Sequence, residues 1–360
     1  MFTVVIFIIV LGILVLAHEL GHFVMAKRAG MKVEEFGFGF PPRIFGVRRG
    51  ETIYSLNWIP FGGFVKIFGE DRTEEATKSS KSFSSKKAGA KAKVIVAGVV
   101  MNIILAFVLL SIGNVLGLRV GIEQVTSKTK DIQIQIVQVV PDSPADSAKL
   151  EMLDEITGFK FQDSNFEAKS IAEVQNFINS HRGEQIAIQI KRGNQLFEKN
   201  IMPRVNPPMG EGALGISLAL TGVVKYPWYE AIYQGANQTG ILLINTVGGY
   251  AHIIKQAFTT GNAGAELSGP IGIAKFTGQA ARIGFAYLIQ LMAILSVNLA
   301  ILNIIPFPAL DGGRLLFIII EKLKGSPIPR KIENMANSVG FAFLILLMIY
   351  VTTKDVIRFF

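Results

Sequence analysis

The hydrophobic and polar positions of this chain fall into long apolar runs separated by polar stretches. Met1 to Met25 is almost continuous apolar sequence, interrupted by Thr3 and by a polar cluster that begins at His18-Glu19. Further apolar runs cover Val94–Leu118, Phe285–Ile305 and Ser338–Ile357. About 20 apolar residues suffice to cross a bilayer, so the pattern predicts four transmembrane helices. Tyr226–Phe258 is different. Its apolar stretch, Gly240–Ala251, is interrupted by Asn245 and Thr246 and flanked by Lys225, His252 and Lys255. This predicts an amphipathic helix lying in the membrane interface.

The polar stretches have their own periodicities. Val33–Phe40, Ile44–Val47 and Thr52–Trp58 read as short strands, with Arg48-Arg49-Gly50-Glu51 as a hairpin turn. Phe61–Gly69 reads as one more strand, unusually apolar for a loop, and Thr77–Lys87 as a flexible linker. After the second apolar run come strand patterns at Ile132–Val140 and Gln185–Lys191 and a helical pattern at Ser170–Ser180. The expected divisions are a first span at 1–26, a membrane-associated β region and linker at 27–93, and a second span at 94–118. A small domain follows at 119–205, then an interfacial region at 206–284, a third span at 285–313, a polar segment at 314–337 and a fourth span at 338–360.

Charge orients these pieces. The loop 27–93 and the segment Glu321–Lys331 are both rich in Lys and Arg. Cytoplasmic loops accumulate such residues. Four spans place both basic segments on one side, whereas a fifth at Gly240–Ala251 would separate them. No charged side chain precedes the first run and Lys27-Arg28 follow it, which predicts a retained helix with its N-terminus outside rather than a signal peptide. The small domain is then extracytoplasmic. The net charge of +9 belongs to the basic loops, and no basic stripe with interleaved aromatics points to nucleic acid. The 50% hydrophobic content and mean hydropathy of +0.42 agree with a membrane protein. Cysteine is absent, which excludes disulfides, thiolate metal sites and a cysteine nucleophile.

The chemistry concentrates in His18-Glu19-Leu20-Gly21-His22, an H-E-x-x-H pattern within the first span. Positions i and i+4 share a helix face, so both imidazoles can hold one Zn²⁺. Glu19 is then close enough to serve as the catalytic base. Ionisable groups inside a membrane helix are costly, and such clusters are functional by default. A catalytic zinc site usually takes a third protein ligand. The remaining histidines, His181 and His252, fall in the outer domain and the interfacial segment. Asp311 is the candidate for that ligand. It follows the third span on the cytoplasmic side, after Pro306 and Pro308 break the helix, and before Gly312-Gly313, which permits unusual backbone angles.

HELGH in the first span, together with Asn303-Ile304-Ile305-Pro306-Phe307-Pro308-Ala309-Leu310-Asp311-Gly312-Gly313 in a later one, resembles the site-2 protease family of zinc metalloproteases. The branch is that of the bacterial regulator of sigma-E protease, and the match runs over essentially the whole chain. Gly37–Gly39 resembles that branch's membrane-associated β region. Leu267-Ser268-Gly269-Pro270-Ile271-Gly272-Ile273-Ala274 resembles the segment before its third span. The resemblance implies one Zn²⁺ on His18, His22 and Asp311, Glu19 as base, and Asn303, Pro306 and Pro308 shaping the substrate side. It implies regulated intramembrane proteolysis in the bacterial inner membrane. Single-span membrane proteins would be the substrates: an anti-sigma factor already cut outside, and remnant signal peptides. Val139-Val140-Pro141-Asp142-Ser143-Pro144-Ala145 resembles the start of a PDZ-domain core motif. The usual Gly-Leu and Gly-Asp pairs after it read Lys149-Leu150 and Leu153-Asp154 here. Gly98-Val99-Val100-Met101-Asn102 resembles a G-P-x-x-N motif without its Pro.

An intact helix hides its carbonyls in hydrogen bonds, so a substrate must be extended before it is cut. Phe64, Val65, Lys66 and Ile67, within the apolar strand of the cytoplasmic loop, are expected to pair with it as an exposed edge. A metal transporter would need polar groups along a path across several spans, but the ionisable residues sit at one depth and the second and fourth spans carry none in their cores. A catalytically dead scaffold would not need Glu19.

Overall fold

The computed structural model describes residues 2–70, 79–122, 129–162, 164–193, 195–260 and 269–359. It divides into two compact units. The first comprises Met1–Ile112, Ile232–Ala281 and Leu288–Phe360, and the second Gly113–Ala231 and Arg282–Tyr287.

The first unit is built on long helices. They include α1 (Phe2–Arg28), α2 (Ala88–Leu116) and, further along the chain, α7 (Phe285–Ile304) and α9 (Arg330–Phe359). These four are long and apolar enough to cross a membrane. A lipid-embedded backbone must satisfy its own hydrogen bonds, which a helix does internally. α1 ends where Gly30 takes a left-handed φ of 65° and its N–H returns to the Lys27 carbonyl. Lys27 and Arg28 in the last turn complement the helix dipole. Val10 and Leu14 of α1 pack with Met292 of α7, against Leu105 and Leu109 of α2.

Between α1 and α2 the chain forms two long strands, β1 (Val33–Arg49) and β2 (Thr52–Ile67), rather than four separate ones. Both bend. Glu35–Phe38 of β1 pairs with Ile53–Leu56 on one side and with Gly63–Lys66 on the other. Arg43–Arg49 covers the far side of Thr52–Asn57. Four short pieces therefore lie side by side, and the 63–67 piece is an outer one. Sequence periodicity locates the pieces but not their continuity, because bulges keep the ladder going where the alternation breaks. The hairpin is anchored by Val33 and Ile67, buried with Ala26, Met31 and Val94.

Of the expected linker, residues 77 and 78 lie outside the described residues. The rest is fastened. Ser82 is fully buried, the Phe83 N–H donates to the Phe68 carbonyl, and the Lys32 N–H donates to the Lys81 carbonyl. Serine and lysine content suggested looseness, but Phe83 packs on the hairpin core.

The second unit is a sheet covered by short helices. Its strands are β3 (Leu118–Gly121), β4 (Thr129–Val139), β5 (Glu155–Phe161), β6 (Ser164–Glu167), β7 (Ile186–Arg192), β8 (Gln195–Ile201) and β9 (Ile216–Val224). The order is β3-β9-β4-β5-β7-β8, with β6 paired to β5. Helices α3 (Pro144–Ser147) and α4 (Ile171–Ser180) are capped by Ser143 and Ser170. Ile136, Phe159, Val174, Ile188 and Ile190 form the centre of the core. The domain does not stop at Val205. β9, which begins ten residues into what reads as an interfacial region, pairs along most of β4. Ile216, Leu218 and Leu220 alternate with Ser217, Ala219 and Thr221 and pack on the core, and the ladders with β3 and β4 place the strand in this sheet.

Helix α5 (Trp228–Thr260) starts the remaining part of the chain, followed by α6 (Pro270–Ile283), α7, α8 (Asp311–Lys324) and α9. Leu267 and Ser268 lie outside the described residues. The Gly269-Pro270 that follows starts α6, and the Gly272 N–H there donates to the buried Asp355 carboxylate of α9 at 2.8 Å.

Candidate active site

His18 and His22 lie one turn apart on α1, with ring centroids 4.7 Å apart and edge-to-face. Asp311 is the first residue of α8, 293 positions away in sequence. Its Oδ2 stands 2.9 Å from His18 Nε2 and 3.2 Å from His22 Nε2. The two Nε2 atoms are 3.1 Å apart. Among the described residues this is the group of His, Asp and Glu side chains able to share a metal ion.

The approach of α2 makes that convergence possible. A Cβ on Gly21 would stand 2.2 Å from the Ala97 carbonyl oxygen, and one on Gly98 would stand 2.5 Å from His22 Nε2. Two glycines therefore let the helices touch backbone to backbone beneath the histidines. On the other side, α7 ends at Ile304 and the Pro306–Pro308 segment turns the chain back into α8. The residue with a left-handed φ there is Ala309, at 73°. Gly312 and Gly313 do not provide unusual backbone angles, as their motif suggested. They are glycines because a Cβ on either would stand 2.2 Å from the carbonyl oxygen of Ile305 or Phe307. The close fold-back, not a special φ, sets their identity.

The donor set suits a zinc ion. His22 Nδ1 lies 2.8 Å from the Val94 carbonyl, which only accepts, so Nδ1 carries the proton and Nε2 keeps its lone pair. His18 Nδ1 faces the Asn102 amide at 3.2 Å, and Asn102 Oδ1 is buried with no partner. Turning that amide brings its oxygen to Nδ1–H and frees the second Nε2 in the same way. The two histidines thus offer lone pairs toward an acceptor-only carboxylate oxygen, which is the arrangement a cation completes.

A cavity of about 350 Å³ opens beside this cluster. Glu19, Asn303 and Arg314 line it, together with Phe64, Val65 and Ile67 of β2. Lys66 points away, is exposed and pairs with Glu34 at 3.2 Å. Of the helix-breaking prolines, Pro306 is exposed and Pro308 lies under Gly340 of α9, and neither forms the cavity wall. The motifs did not single out Gly98, Asn102, Glu70 or Arg314 as site residues. Arg314 forms an ion pair with Glu70 at the rim. Gly98 and Asn102 were visible as the ends of a motif resembling G-P-x-x-N, but with no site role attached.

The chain matches the family model of peptidase family M50 over residues 6–347. A Clostridium perfringens protein that bears a zinc metalloprotease name is 38% identical, over 96% of this chain and 95% of its own length. The zinc metalloprotease RasP of Geobacillus kaustophilus is 30% identical, over 99% and 98%. The regulator of sigma-W protease RasP of Bacillus subtilis is 29% identical, over 99% of each chain. With its four apolar helices, this multi-pass membrane protein belongs to peptidase family M50, in the site-2 protease family, and is an intramembrane zinc metalloprotease.

Proposed function

We propose that the chain performs regulated intramembrane proteolysis on single-span membrane proteins, with zinc on His18, His22 and Asp311 and with Glu19 as the catalytic base. The observation that carries this reading is the convergence of His18, His22 and Asp311 from distant helices within 3.2 Å, beside a cavity that Glu19 lines. Zinc bound there supplies Lewis acidity toward a water and toward the scissile carbonyl. The protein's own groups do the rest. Glu19 removes the proton of the attacking water and passes it to the departing amine. Asn303 presents its amide to the substrate backbone from the opposite wall, with the Pro306–Pro308 turn holding it in place.

The 63–67 piece of β2 holds an extended substrate. It pairs with β1 on one side, and Phe64 and Val65 line the cavity. β-Addition replaces the hydrogen bonds that a substrate helix loses on unwinding, each worth several kcal/mol in lipid.

The second unit is an extracytoplasmic PDZ-like domain, and the loop 27–93 and the segment after α8 face the cytoplasm of a bacterial inner membrane. The Lys and Arg content of both segments supports this orientation. The turns at Lys149 and Leu153 support the PDZ likeness. Both residues have left-handed φ, 58° and 72°, where the motif usually has glycine. The name of the Bacillus subtilis relative favours an anti-sigma factor as substrate, and remnant signal peptides share the single-span form.

The test is Glu19→Gln. The purified variant should keep its zinc and lose cleavage of a model single-span substrate by roughly 10²–10⁴-fold. Normal turnover by that variant would remove Glu19 from the mechanism.

A further inference from the structure

A second concave surface lies between α1 and α2, a groove of about 500 Å³ with no part in the metal cluster. Its α1 wall is Gly21, Val24, Met25 and Arg28, spaced three and four apart along one helix stripe. The α2 wall is mainly Val96, Val100 and Ile104, with Lys93 at the same end as Arg28. Val100 and Ile104 are 44% and 45% exposed, on a helix long and apolar enough to cross a membrane.

Arg28 and Lys93 are the basic residues that line this groove, and they differ from several neighbouring cations that are already paired. Lys81 pairs with Glu51, Lys66 with Glu34 and Arg314 with Glu70. Arg28 and Lys93 are exposed and have no carboxylate partner among the described residues. Arg28 is the last residue of α1, and Lys93 lies in the second turn of α2. An antiparallel pair of spans brings these two ends to one membrane interface. Apolar walls within the bilayer and two free cations at the headgroup level match one ligand chemistry, an acyl chain beneath a phosphate. The groove volume lies within the range of about 300–1,000 Å³ usual for small-molecule sites.

We propose that the α1–α2 groove binds an anionic phospholipid, with its phosphate between Arg28 and Lys93 and an acyl chain along Val24, Val96 and Val100. The floor of the groove is the Gly21–Ala97 backbone contact, and the next residue of α2, Gly98, lies against His22. The lipid therefore braces the helix contact that supports the two histidines.

The experiment uses the full chain, delipidated in detergent and then offered phosphatidylglycerol or phosphatidylcholine of equal chain length. Retention is read by native mass spectrometry, and zinc content and elution volume report folding. Two interfacial cations predict a preference for phosphatidylglycerol of roughly 30-fold. R28Q/K93Q should abolish the preference, and R28K/K93R should keep it. V100W, which fills the wall and leaves both cations, should lower retention of both lipids. The proposal is overturned if R28Q/K93Q retains phosphatidylglycerol as the parent does. It is also overturned if glycerol 3-phosphate alone displaces the lipid, since the walls would then contribute nothing. A parent protein that elutes as a dimer and becomes monomeric on V100W overturns it too, by making the groove an interface between copies. None of these readouts depends on proteolysis.

Discussion

The side-chain amide of Asn102 meets His18 Nδ1 at 3.2 Å from the facing helix, while its own Oδ1 is buried without a partner. With the amide turned, one oxygen both satisfies itself and fixes the tautomer of His18. An outer partner of this kind typically controls metal affinity by about 10–100-fold. Asn102→Leu should therefore weaken zinc binding by that factor, with all three ligands intact. Asn102→Asp keeps an acceptor and should hold zinc near the parent level. Competition with a chelator reads both. Equal affinity in the Leu variant would reduce Asn102 to a packing residue.

Gly98 gives an independent handle on the same geometry. A Cβ there would stand 2.5 Å from His22 Nε2 and 2.8 Å from His18 Cε1. Gly98→Ala should displace the imidazoles and strip zinc without altering any ligand. Gly89→Ala, on the same helix with nothing within 4 Å, serves as the control and should retain it. Metal content after dialysis against a weak chelator decides the matter. Full zinc retention in Gly98→Ala would mean that α2 yields and that the contact does not fix the site.

How far the sequence carries depends on the range of the interactions involved. His18, Glu19 and His22 are legible because helical spacing alone puts two imidazoles on one face. Asp311 is legible because an incomplete ligand set asks for one more donor and the prolines mark a break nearby. The reason for Gly312 and Gly313 is not legible, since the carbonyls they avoid become close only when the chain doubles back. Asn102 is marked by the motif it ends, but its role is hidden for a similar reason, as it depends on how α1 and α2 are rotated against each other. The strand β9 alternates from Ile216 to Thr221, but its partner β4 begins 87 residues earlier, so the sheet it joins is not legible from local pattern. The β1–β2 pieces are each recognised, but the bulges that join them into two bent strands leave no periodic trace.

The second unit carries strain that can be relieved. Lys149 has φ 58°, and its side chain is exposed. A residue with a Cβ pays roughly 1 kcal/mol or more in this region, and glycine does not. Lys149→Gly should stabilise the unit by about 1 kcal/mol, raising its Tm by about 2–8 °C. Lys149→Ala retains the Cβ and should give no such gain. Thermal unfolding of the full chain, followed by a probe in β4 or β5, compares them. A destabilised Gly variant would show that the turn is held at no cost.

The last prediction concerns the open edge of β2. Val65 pairs with Phe36 across the ladder, and its side chain lines the cavity. The Phe68 N–H donates inward to the Lys32 carbonyl. Alternation along the strand then turns the Val65 N–H outward, three residues earlier. An extended substrate lying along the metal cluster would accept from that N–H. Val65→Pro removes this donor and no other. Ile67 shares the same orientation but is unsuitable, because it is buried in the cluster that anchors the hairpin. Val65→Pro should cut a stable transmembrane helix at least roughly fivefold more slowly, with zinc content unchanged, since about 1 kcal/mol or more is lost with each hydrogen bond. Val65→Ala keeps the N–H and should cleave nearly normally, which separates the backbone donor from the side chain. Substrates whose spans already contain Gly or Pro should suffer less, because part of their helix is open before binding. If Val65→Pro cuts every substrate at the parent rate with its zinc in place, the edge does not hold the substrate. Unwinding would then have to be driven from elsewhere, at Asn303 in the cavity wall and the Pro306–Pro308 turn that follows it.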